Sequence, residues 1–123
     1  MKKIIFLFFA IALAAGVQAQ FANTKWTTTL KLDNPLDAVF DFSKDTLNVY
    51  AAADGSLVET MVFGVKDDVL TIQKTSGQSD CEGSAIGKYK FAMKDSKTVV
   101  ITLVSDDCTD RSGVLDGSTW IKE

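Results

Sequence analysis

The chain has two cysteines, Cys81 and Cys108, and the residues between them restrict the fold more than any other feature. In residues 87–93, Tyr89, Phe91 and Met93 alternate with Lys88 and Lys90; a turn at 94–97 follows, then the apolar run 98–104. Alternation with period two marks a strand with one buried face, so this segment reads as a β-hairpin. A Cys81–Cys108 disulfide would tie the loop before the first strand to the loop after the second. Closing a loop of this length is worth roughly 3–4 kcal/mol in the chain-entropy picture, a large share of a small domain's stability.

The N-terminus says which compartment those thiols meet. Residues 1–19 read as a cleaved secretory signal: Lys2 and Lys3 form the charged start, 4–17 the apolar middle, and Val17-Gln18-Ala19 a small-residue cleavage site ahead of Gln20. The apolar run of about 14 residues is shorter than the ~20 a spanning helix needs, so no membrane insertion is expected after cleavage. The expected location is therefore the periplasm or the extracellular space, where paired cysteines oxidise. Reduced thiols acting as metal ligands would need a histidine or a second thiol pair, and the chain has neither.

Removing 19 of 123 residues leaves 104, the size of a single domain, with 11 Lys and Arg against 16 Asp and Glu, a net charge of −5. Nucleic acid and anionic membrane surfaces are recognised by clustered Lys and Arg and are not expected as partners. Lys88, Lys90 and Lys94 alternate with apolar residues and read as the solvated face of a strand.

Taken in order, residues 26–32, 37–42, 46–52, 57–65, 69–75, 87–93, 98–104 and 118–122 read as eight strands. Asn34-Pro35, Ser43-Lys44-Asp45 and Asp67-Asp68 mark turns, and Asp54-Gly55 is expected to form a type I′ hairpin turn. Loops 76–86 and 105–117 carry the two cysteines, the second with room for one helical turn. Strands joined directly, with no helix between most of them, predict an all-β chain: one eight-stranded antiparallel up-and-down β-barrel, closed so that no edge is exposed. In such a meander alternate loops share a rim, which puts Cys81 and Cys108 at the same end.

Gly87-x-Tyr89-x-Phe91, the apolar strand after it, Val104-x-Asp106-x-Cys108-x-x-Arg111, the earlier Cys81 and Trp120 in the last strand together resemble small bacterial exported lipocalin-like proteins. Trp26 resembles the tryptophan that plugs the closed base of lipocalins. The resemblance implies a closed barrel with a lumen.

Inward residues at the closed end are expected to be Trp26, Phe42, Leu47, Phe63, Leu70, Met93 and Val99. Toward the open rim they are expected to be Leu30, Phe40, Val49, Leu57, Glu59, Ile72, Tyr89, Leu103 and Trp120. An eight-stranded barrel either fills with side chains or holds one small ligand. An inward carboxylate and a tyrosine hydroxyl in an apolar lumen are the few orienting polar groups of a ligand pocket. Phe40, Glu59, Met61, Tyr89 and Arg111 are accordingly the candidate ligand-binding residues. Glu59 needs a partner if it is buried, and Tyr89 is one candidate for it.

Catalysis has little support, because without histidine the usual base near neutral pH is missing. The expectation is a protein that is not an enzyme and carries neither cofactor nor metal. Asp80, Glu82, Asp106, Asp107 and Asp110 crowd the expected disulfide but lack metal-loop spacing, and are read as a solvated acidic rim with Arg111 pairing one or two carboxylates. Two functions stay open at this point: a carrier of a small apolar or amphipathic molecule, and a small protein-binding barrel, such as an inhibitor of a hydrolase, that presents the stapled loop 76–86.

Overall fold

The computed structural model describes residues 20–123. The expected signal segment, 1–19, lies outside the described residues. The chain forms β1 (Thr24–Leu30), β2 (Leu36–Phe42), β3 (Thr46–Ala51), β4 (Leu57–Lys66), β5 (Val69–Gly77), β6 (Ile86–Met93), β7 (Thr98–Asp106), a short helix α1 (Thr109–Leu115) and β8 (Thr119–Lys122). Each strand pairs antiparallel with the next, and β8 closes on β1 through Trp26↔Lys122 and Thr27↔Ile121. The architecture is thus an all-β, closed, eight-stranded up-and-down barrel with one helix and one disulfide.

Alternation places the core. Trp26, Phe40, Phe42, Leu47, Leu70, Ile72 and Val99 point inward and are almost fully buried. Phe21, just before β1, plugs the base: its ring centroid lies 4.9 Å from Phe91 and 5.1 Å from Phe42, with Trp26 at 5.7 Å and Trp120 at 6.3 Å. Both indole N–H groups are satisfied at short range. Trp26 Nε1 donates to Thr24 Oγ1 at 2.8 Å and Trp120 Nε1 to Ser118 Oγ at 3.0 Å. A buried indole needs such a partner, and both are found within two residues along the chain.

Four local expectations are corrected. Leu57 is 49% exposed instead of inward, because β4 carries an extra residue: Val49 pairs with Glu59 and Tyr50 with Leu57, so the bulge at Val58 inverts the faces beyond it. Met93 is 40% exposed at the end of β6, where Phe21, packed on Phe91, already fills the base. Leu32, which alternation sets on the same face as Trp26 and Leu30, is exposed beyond the end of β1. Trp120 is buried deeper than the rim, against Phe21, Phe40 and Phe42.

The Asp54-Gly55 turn is also not type I′. That turn needs positive φ at both central residues, yet of the two only Gly55 has it (φ 71°). The loop is wider: Ala51 N–H donates to Ser56 O, Gly55 N–H donates to Ala51 O, and Asp54 Oδ1 accepts from the Ser56 amide and hydroxyl. Between Cys108 and β8 the chain makes a seven-residue helix, where one turn was expected. Asp110 in its first turn suits the positive end of the helix dipole, and Arg111 and Leu115 face the barrel.

Candidate functional site

Two buried polar clusters stand at the rim, and each depends on a glycine. The first is built on Glu59, which β4 aims into the lumen and which is 7% exposed. A buried carboxylate must find donors, and Ser79 supplies two: its N–H to Oε1 at 3.1 Å and its hydroxyl to Oε2 at 2.9 Å. Lys74 Nζ lies 4.0 Å from Oε1 and donates to the Ser79 carbonyl at 2.5 Å. Glu59 therefore pins the loop after β5 over the barrel mouth. Gly77, at φ 140°, permits the approach, since a Cβ there would stand 2.6 Å from Glu59 Oε1 and 2.7 Å from its Cα.

The second cluster is Tyr89, Asp106 and Arg111. Helix α1 carries Arg111 back against the end of β7, where Nε and Nη2 each donate to Asp106 at 2.8 Å; Nη2 also reaches the Ala85 carbonyl at 3.1 Å. Asp106 further accepts from the Cys108 N–H at 2.8 Å and from the Tyr89 hydroxyl. Gly87 leaves the space for this, because a Cβ would meet Asp106 Oδ2 at 2.6 Å and Arg111 Nε at 3.1 Å.

Burial alone would raise the Asp106 carboxyl, but the hydrogen bonds from Arg111, Tyr89 and the Cys108 amide outweigh it and hold the group below the usual carboxylate range. Burial, reinforced by the adjacent Asp106 carboxylate, pushes the Tyr89 hydroxyl well up, so it stays a donor. Burial would likewise lower Arg111, yet its contacts with Asp106 carry it above its ordinary value.

The Cys81–Cys108 disulfide (Cα–Cα 5.5 Å) joins the two clusters by holding the loop after β5 to the start of α1. Between these elements and the strands lies a cavity of about 540 Å³ that opens at the rim. Its walls are Leu30, Leu36, Phe40, Val49, Met61 and Leu115; its polar groups are Glu59, Ser79 and Arg111; its lip includes Lys31, Asp33, Asp80 and Asp110. Residues from the β1–β2 loop, from the loop after β5 and from α1 all border one opening, as alternate loops of a meander must.

Of the five residues singled out from sequence, Phe40, Glu59, Met61 and Arg111 line this cavity. Tyr89 does not: it is fully buried behind Asp106, and Glu59 takes Ser79 as its partner instead. Sequence reasoning missed Ser79, Leu115 and the anchoring role of Asp106. Serine in a Ser-Gly-Asp-rich loop carries no periodicity, and a seven-residue helix is too short to show one. The acidic residues near the disulfide do not converge on a cation site: among the described residues no three His, Cys, Asp or Glu side chains are placed to hold a metal ion.

Chemically, the site offers an apolar chamber with one carboxylate and one guanidinium at its polar wall. A scan against protein-family models, a search of curated proteins and a search of solved structures each return no match to this chain.

Proposed function

We propose that this chain is a non-enzymatic, exported β-barrel of lipocalin-like type that binds a small apolar or amphipathic molecule in its lumen, in the periplasm or outside the cell. The cavity carries this reading. At about 540 Å³ it falls within the range of small-molecule sites, and it combines apolar walls with a few convergent polar groups. The base is plugged by Phe21 and Trp26, so a ligand enters and leaves at the disulfide-clasped rim. In loop 76–86 Ser79 is held toward the cavity by Glu59, and the exposed Gln78 and Asp80 border the opening. The disulfide accords with an oxidising compartment.

Native mass spectrometry of the oxidised protein, produced in a bacterial periplasm, tests the reading. A discrete extra mass that mild delipidation removes is the expected result. A bare mass both before and after delipidation, with no uptake of added amphiphiles, counts against it.

A further inference from the structure

We infer that the lumen's ligand is broad and compact, a fused ring system rather than a single alkyl chain. The inference rests on the lumen-binding reading and narrows it by the shape of the chamber.

Strand β2 sets the depth. Leu36 and Phe40 both line the cavity and stand four residues apart on that strand. At about 3.3 Å per residue, on a strand tilted roughly 40° to the barrel axis, they differ in height by about 10 Å. Phe40 is the floor. Its ring lies 4.6 Å from Trp120, which packs in turn on Phe42 and Phe21, and none of these three borders the cavity. Counting residues 31–33 of the lip as fully extended chain raises the depth to no more than about 18 Å.

A volume of about 540 Å³ over a depth of about 10–18 Å gives a mean cross-section of about 30–50 Å². Non-bonded carbons keep about 4 Å apart, so one extended alkyl chain fills a tube of roughly 20 Å². A single chain would leave between about one third and three fifths of the section empty. A fused ring system, two chain widths across and one thick, takes roughly 40 Å² and matches it.

The chamber cannot shrink onto a thin guest. Helix α1 is held by the Cys81–Cys108 disulfide and by the Arg111–Asp106 pair. The loop after β5 is pinned by Glu59 and Ser79, and Leu30, Phe40, Val49 and Met61 are wall residues fixed on the strand ladder. A gap of about 0.5–1 Å already forfeits a quarter to a half of a contact's attraction, so the guest itself has to supply the width. A rigid ring does so without freezing the bond rotations that a flexible chain gives up on binding.

Decalinol (two fused saturated rings) and decanol each carry ten carbons and one hydroxyl. Dipentylcarbinol places a similar carbon count on two flexible limbs. Binding to the full oxidised protein can be read by calorimetry, and the place of binding by methyl NMR shifts at Leu30, Leu36, Val49 and Leu115. Decanol has more apolar surface than decalinol and would win in a shapeless apolar medium, so the order of affinities reports shape. Decalinol should bind about tenfold tighter than decanol, with dipentylcarbinol between them. Decanol binding as tightly as decalinol would overturn the width argument and leave the lumen reading standing. Dipentylcarbinol binding as tightly as decalinol would overturn the ring assignment. Binding by none of the three, or shifts confined to methyls outside the cavity, removes the lumen reading and this inference with it.

Discussion

The Asp106 carboxylate takes four donors, from Tyr89, the Cys108 amide and two nitrogens of Arg111, and this sets how the molecule responds to acid. Its folded-state pKa is depressed, so the unfolded chain binds the extra proton as pH falls through the ordinary carboxylate value of about 3.9. The stabilisation from Asp106 is therefore complete above roughly pH 5 and is lost as pH drops below about 4. Urea midpoints measured from pH 6 to pH 3 should fall more steeply for the natural protein than for Asp106→Asn, in which that carboxylate cannot titrate. Equal slopes would place the acid sensitivity elsewhere, with the exposed Asp54 and Asp95 next in line, because turn hydrogen bonds lower both. At this scale the sequence was a partial guide. Period two says which face Tyr89 occupies but not which partner its hydroxyl finds. Asp106, in the run Ser105-Asp106-Asp107, looks like any turn acid, and only the return of α1 makes it a buried anchor. Phe21, a lone aromatic outside any alternating run, carried no signal of its place at the base.

Among the elements, strands were legible wherever one face is buried and the other wet, which is why β2, β3 and β5 lie within two residues of their expected bounds. Where a bulge or a strand end interrupts that rule, as at Val58 and Met93, alternation cannot say so, because the deciding contact comes from another element. The hairpin between the cysteines is β6–β7, and its disulfide is the link that both sequence and structure place at the rim. That link joins a loop to a seven-residue helix too short to be stable alone. Replacing both cysteines by serine should cost about 3–4 kcal/mol in chemical denaturation. Far-UV circular dichroism should stay that of a β-barrel, since the strand ladder closes without the disulfide. Loss of the β signal would mean the barrel cannot close on its own hydrogen bonds. An unchanged denaturation midpoint would mean the rim is already held by Glu59–Ser79 and Asp106–Arg111.

For the whole molecule, the question is why a barrel this small keeps an open interior. A sealed, dry void of about 540 Å³, at about 24 cal/mol per Å³, would cost on the order of 13 kcal/mol, comparable with the entire stability of such a domain. The space is tolerable because its lip, with Lys31, Asp33, Asp80 and Asp110, opens to water. The aromatic cluster of Phe21, Trp26, Phe42 and Trp120 concentrates dense packing at the base. Stability and cavity are thus separated along the barrel axis, and a change at the rim wall can move one without the other. Val49, 3% exposed on β3, is such a position. Val49→Phe should project an aromatic ring into the cavity, leave stability unchanged or raise it by the about 0.5–2 kcal/mol typical of cavity filling, and weaken binding of an added amphiphile tenfold or more. A large fall in melting temperature would mean that the wall at Val49 has no room to give. Unchanged binding in a stable variant would place the ligand outside the lumen. Lost binding with retained stability separates a working chamber from a packing defect, because filling a defect has no functional cost.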